Sequence, residues 1–190
     1  VRENTAGSWG REMYLVEKVY DTLDEDDEIV KAIDVYVNGA KRTIYEGRNY
    51  SFAENGIESG DVWIFWMNAQ GEITSGSREI YNSSTGVAND FGHAFSWEPY
   101  IGFGYITSIK DGVAKYGCSM SGTGVPLYDT NEGNWAKSAL LPIVGASIVT
   151  FDSGRKKKVD FGDESDLYAA MKEGSIIFVA QTFGSVKGVI

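Results

Sequence analysis

The tightest constraint on this chain is a turn, Asn38-Gly39, standing between two runs of alternating apolar residues. A two-residue hairpin of type I′ needs positive φ at both central positions, and Asn-Gly supplies it at the lowest steric cost. Residues 29–37 lead into the turn with Ile33, Val35 and Val37 on one face, and residues 42–45 return. The same grammar runs through the chain. Residues 13–16 and Val19-Tyr20 lead into the acidic run Asp24-Glu25-Asp26-Asp27-Glu28. Residues 62–67 are apolar on both faces, as in a central strand, before Gln70-Gly71 turns into Glu72-Ile73-Thr74. Further on, Asp111-Gly112 separates strands expected at 105–109 and 113–116, and Asp152-Ser153-Gly154 separates 148–151 from 158–161. Residues 176–180 are again apolar on both faces, and Phe183-Gly184 turns into 186–190.

Helix signals are scarce. Residues 165–173, closed by Gly174 with Asp163 or Ser165 as cap, predict two turns of helix. Residues 134–141, ahead of Pro142, predict one more. Twenty-three glycines against three prolines, and an aromatic content of 13%, fit short strands joined by tight turns.

The halves align. "AIDVYVNGAKRTIYEG" at 32–47 faces "ASIVTFDSGRKKKVDFG" at 146–162, and 57–73 faces 171–189. Asn38 to Gly60 spans 22 positions, as does Asp152 to Gly174. This spacing predicts an internal duplication, and a related pattern at Ile143-Val144-Gly145 leaves room for a smaller repeat unit. A Ser-, Thr-, Asn- and Gly-rich stretch from 82 marks a linker, giving an N-terminal module at 1–81, a linker at 82–101 and a C-terminal module at 102–190. The fold class expected is all-β: two tandem small antiparallel barrels or sandwiches with one or two short helices.

A formal net charge of -10 repels phosphate backbones and argues against nucleic-acid binding. The one basic cluster, Arg155-Lys156-Lys157-Lys158, is expected at a solvated hairpin edge, where lysines discourage strand pairing. No run approaches the roughly 18 apolar residues of a membrane span. The start at Val1, without a basic-then-apolar signal pattern, fits a processed product or part of a longer chain.

The residues for catalysis are few. His93 is the single histidine, no G-x-S-x-G elbow is present, and Cys118 is the single cysteine. One His and one Cys fill a zinc site only with two carboxylates. Paired acids among 27 carry no specificity for a glycosidase, and Gly102, Gly104, Gly122 and Gly124 precede no Lys-Ser/Thr. The chain is therefore expected to be non-enzymatic, with no resident cofactor. Asp24, Asp26, Asp27 and Glu28 are the candidate ligands for Ca²⁺, set against the commoner reading as a solvated turn. Asp160, Asp163, Glu164 and Asp166 form a second such group. Trp63, Phe65 and Trp66 are expected in the core. Trp97, Tyr100, Phe103 and Trp135 are the candidate contacts for a partner or a glycan.

The stretch "VYVNGAKRTIYEG…IESGDVWIFWMNAQGEI" resembles the repetitive β-modules that accompany S-layer-homology domains in surface proteins of Gram-positive bacteria, and similar modules in phage structural proteins. The matching positions are 35–45, Gly60-Asp61, 62–67 and Gly71-Glu72, which are turn grammar rather than chemistry. The wall-anchoring S-layer-homology domain has no counterpart in this sequence. The resemblance implies a structural or assembly subunit of a surface layer, filament or virion, located extracellularly, at a cell surface or in a virion. Its partners would be itself or other structural subunits. The alternative is a carbohydrate-binding module for cell-wall or surface glycans.

Overall fold

The computed structural model describes residues 12–24, 26–47, 49–69, 71–88, 100–117, 128–129, 134–135, 138–152, 158–182 and 185–189. The protein is mostly β, with antiparallel sheets and one helix among those residues. It divides into two compact units, Val1–Val87 with Asp152–Lys158, and Ala88–Phe151 with Val159–Ile190.

In the first unit, β1 (Met13–Leu23), β2 (Ile29–Val37), β3 (Ala40–Tyr45), β4 (Val62–Ile64), β5 (Arg78–Asn82) and β6 (Val87–Ala88) form one sheet in the order β3-β2-β1-β4-β5-β6. Asn38 and Gly39 have φ of 47° and 76°, so the β2–β3 hairpin closes as the Asn-Gly pair demands. Strand β4 lies between β1 and β5, and Val62, Trp63 and Ile64 are all buried, as a strand apolar on both faces requires. One sheet face carries a large cluster, in which Tyr14, Val16, Ile33, Val35, Val37 and Ile44 pack with Phe52, Trp63 and Phe65, while Leu15, Val62 and Ile64 are buried on the other. Trp63 and Phe65 stack with centroids 5.6 Å apart. A bulge at Glu17 interrupts the β1–β2 ladder, and there Ser59 Oγ donates to the Glu17 carbonyl at 2.6 Å.

In the second unit, β7 (Tyr100–Lys110), β8 (Val113–Gly117), β11 (Ser138–Pro142), β12 (Ser147–Asp152), β13 (Lys158–Gly162), β14 (Ile176–Thr182) and β15 (Ser185–Val189) form a sheet in the order β11-β8-β7-β14-β15-β12-β13. The short strands β9 (Tyr128–Asp129) and β10 (Asn134–Trp135) pair separately. Helix α1 (Glu164–Glu173) starts at Asp163, whose side chain caps Ser165 N, and ends at Gly174 with φ 70°. Its Leu167 packs into a core of Ile106, Ala114, Ile143, Ile148 and Ile177.

One expected helix needs correction. Residues 134–141 are not helical: β10 and β11 occupy them, and β11 pairs with β8 from Ser138↔Gly117 to Pro142↔Val113. A run this short is marginal as a helix in water, so pairing with a waiting strand wins. Pro142 is tolerated because β11 is an edge. Within these mostly antiparallel sheets, β12 and β15 run parallel through Ser147↔Gly188 and Ile148↔Val189. The hairpin, helix and strand between them supply the long crossover that a parallel pair needs. Strand β7 also begins at Tyr100, earlier than residue 105, and β6 lies within the expected linker.

Candidate functional site

The first-unit hairpin β1–β2 outruns its sheet. Strand β3 accompanies β2 only from Ala32 onward, and β4 accompanies β1 only through Leu15. Beyond them, Asp21↔Lys31, Thr22↔Val30 and Leu23↔Ile29 continue as a two-stranded arm. Alternation places Val19 and Ile33, then Asp21 and Lys31, then Leu23 and Ile29 on one face. Ile33 is fully buried, whereas Leu23 is 57% and Ile29 77% exposed. An aliphatic pair thus stands in water at the end of the arm, separated from the core by the Lys31–Asp21 ion pair at 2.8 Å.

The turn beyond that pair holds the expected cation ligands. Asp24 Oδ1 accepts from the backbone N–H of Asp26 and of Glu28, both at 2.9 Å, and Asp24 N donates to Glu28 O. Asp27 sits at φ 61°. Asp24 therefore spends one oxygen on closing the turn. Among the described residues, no three His, Cys, Asp or Glu side chains come together in an arrangement that would hold a metal ion. What the turn does offer is a run of acidic residues between Leu23 and Ile29.

The base of the arm is braced on its opposite face. Asp34, only 5% exposed, accepts on Oδ1 from Tyr20 Oη at 3.0 Å and from Thr43 Oγ1 at 2.6 Å. Its Oδ2 lies 3.2 Å from Lys18 Nζ and 3.6 Å from Lys41 Nζ, and Lys41 also pairs with Glu17. Burial pushes the Asp34 carboxyl up, but hydrogen bonds from Thr43, Tyr20 and Lys18, with the Lys18 charge, outweigh it and hold it below the usual carboxylate range. Burial and the bond to Asp34 push the Tyr20 phenol up. The Lys41 ammonium is raised by its bond to Glu17. A carboxylate engaged by two hydroxyls and two ammoniums has no role left as a base. It ties β1, β2 and β3 together where the arm leaves the sheet.

A second exposed feature is Trp66. It was expected in the core with Trp63 and Phe65, but it is 39% exposed because Trp63, Phe65 and Met67 take the inward positions. Trp66, Asn68, Glu72 and Thr74 alternate outward along the short ribbon bridged at Met67↔Ile73.

The other expected site residues are placed as follows. Trp97, His93, Cys118, Glu25 and residues 153–157 lie outside the described residues. Tyr100 and Phe103 stand on β7 opposite Gln181 and Phe178, and Trp135 stands on β10 opposite Tyr128. Of the second acidic group, Asp163 and Asp166 are a helix capping box: Asp163 Oδ1 accepts from Ser165 N, and Asp166 Oδ2 accepts from Asp163 N. Sequence reasoning missed Leu23 and Ile29. The available signal was an aliphatic residue on either side of five consecutive acids, a turn too charged to be buried. Comparison with protein families, with curated proteins and with solved structures finds no match to this chain.

Proposed function

We propose that this protein is a non-enzymatic structural subunit, made of two β modules with a common turn grammar, which joins a surface layer, filament or virion through the β1–β2 arm. The observation that carries this reading is the exposed Leu23–Ile29 pair on a hairpin whose turn and base are both hydrogen-bonded. A preordered apolar tip loses little entropy when a partner covers it. Covering what remains exposed of the two side chains contributes at most about 1.5–3 kcal/mol each. Two of the sheet edges, β3 and β11, support the arm as the contact. Strand β3 presents exposed Lys41 and Arg42, and β11 ends in Pro142, both of which discourage edge-to-edge pairing. The partner is another copy or another structural subunit, and the setting is extracellular, at a cell surface or in a virion.

The test is the mass of the purified chain by light scattering, with Leu23→Ser/Ile29→Ser alongside. The expected result is a defined multiple of 20.8 kDa for the wild type and a shift toward one chain for the variant. Because each tip is acidic, added salt should strengthen association between copies by screening their repulsion. A wild type that stays at one chain across protein and salt concentrations rules out self-assembly through the arm.

A further inference from the structure

The outward face of the ribbon around Trp66 has a use that assembly does not explain. Its backbone is pinned: Trp66 O accepts from Thr74 N at 2.7 Å and Thr74 Oγ1 at 3.1 Å, and Trp66 N donates to Ser77 Oγ at 2.9 Å. Gly76 lies against the indole, where an added Cβ would stand 3.4 Å from Trp66 Cγ and Cδ2. The ring is therefore backed at one end and 39% exposed. Beside it, Asn68 and Glu72 form a reciprocal pair. Asn68 Nδ2 donates to Glu72 Oε2 and Glu72 N donates to Asn68 Oδ1, both at 2.9 Å. Thr74 gives its hydroxyl proton to Trp66 O, so its oxygen keeps acceptor capacity.

We infer that this face is a saccharide subsite, with Trp66 stacking on the C–H face of a neutral pyranose and the Asn68–Glu72 pair and Thr74 meeting its hydroxyls. The composition of the face selects this ligand class. One fixed aromatic plane bordered by an amide, a carboxylate and a hydroxyl matches an amphipathic sugar ring. The Leu23–Ile29 tip proposed for assembly is instead aliphatic, with no ring to stack. Glu72 at the rim and the formal net charge of -10 repel sugar phosphates, uronates and nucleic acids. The inference is independent of the arm, which lies on β1 and β2.

The test is isothermal titration of the full chain with hexaoses of glucose, of N-acetylglucosamine and of mannose, with amide NMR shifts as a second readout. At least one hexaose should bind the wild type, with shifts centred on residues 66–77. Trp66→Ala should weaken that binding about tenfold or more, the scale of losing one aromatic stacking contact, and Trp66→Phe should retain part of it. Leu23→Ser/Ile29→Ser should bind like the wild type, which separates this subsite from the assembly reading. Silence with all three hexaoses overturns the inference, as does equal affinity in Trp66→Ala. A Trp66→Ala variant that changes the assembled mass while no hexaose binds the wild type reassigns the face to a protein contact.

Discussion

The β2–β3 and β12–β13 hairpins begin alike and end in different folds. Each lies at the end of its sheet, with β3 or β13 as the edge. Each is followed at the same spacing by a glycine of positive φ, Gly60 at 93° and Gly174 at 70°, and two residues later by a central strand, β4 or β14. The strand inserted between hairpin and central strand is where they part. In the first unit it is β1, antiparallel to both β2 and β4, so those two run the same way. In the second it is β15, parallel to β12 and antiparallel to β14, so those two run opposite ways. Setting Asn38 against Asp152 also sets Asp34 against Ile148. Ile148 packs with Leu167 of the connecting segment, whereas Asp34 faces away from the cluster that holds Phe52. The connecting segments thus cover opposite faces of the two hairpins. Turn chemistry fixes a hairpin and a point of re-entry; which strand fills the gap depends on long-range pairing.

The largest effect should come from removing the anchor of each connecting segment. Phe52 is fully buried and meets the Tyr50 ring edge-on with centroids 6.5 Å apart. Phe52→Ala should cost about 3–5 kcal/mol in urea unfolding. Leu167→Ala should cost about 2–3 kcal/mol, toward the lower end for such a truncation, because a helix can settle partway into the space left. Equal losses would mean that the tight turn and the helix hold their units equally firmly.

Asp34 sharpens the contrast, because its counterpart is apolar. Asp34→Ala should cost about 2–3 kcal/mol, through two lost hydrogen bonds to a charged acceptor and two lysines left without it. Asp34 titrates below its unfolded value in the folded chain, so its contribution is complete above the ordinary carboxylate range, near pH 4, and fades as pH falls through the lower folded value. Asp34→Asn should therefore flatten the acid limb of stability against pH, and an unchanged limb would show that the brace is not what acid breaks.

Legibility followed the range of the interaction. The hairpin at Asn38-Gly39, the burial of Val62–Ile64 and the helix between Asp163 and Gly174 are local, and the residues state them directly. The strand at 138–142 is not legible locally because Leu140 and Leu141 suit a short helix and a strand alike, and only β8 decides. The parallel β12–β15 pair joins residues some forty positions apart in sequence, beyond any turn signal. Trp66 was misassigned for a subtler reason. An apolar run of six looks buried on both faces, and only its alternation with Asn68 shows which face opens to water.

Gly60 and Gly174 give a matched pair of smaller effects. Alanine at either should cost about 1–2 kcal/mol, since a Cβ disfavours positive φ. Gly60→Ala should be the worse, because Gly60 is buried and its N–H donates to Val16 O at 2.8 Å beside the bulge, whereas Gly174 is exposed. The reverse order in thermal unfolding would mean that the end of α1, rather than the turn before β4, governs re-entry into the sheet.

The smallest expected effect separates arm from sheet. Ile29 and Ile33 share one face of β2, four residues apart, yet Ile33 is fully buried and Ile29 is 77% exposed. Ile29→Ser removes apolar surface that folding leaves in water and breaks no ladder bond, so stability should change by no more than about 0.5 kcal/mol. Association should change far more, because the apolar area that a partner would cover is gone. A loss of stability near that of a core truncation would place Ile29 under cover in solution, and the arm would then belong to the fold rather than to assembly.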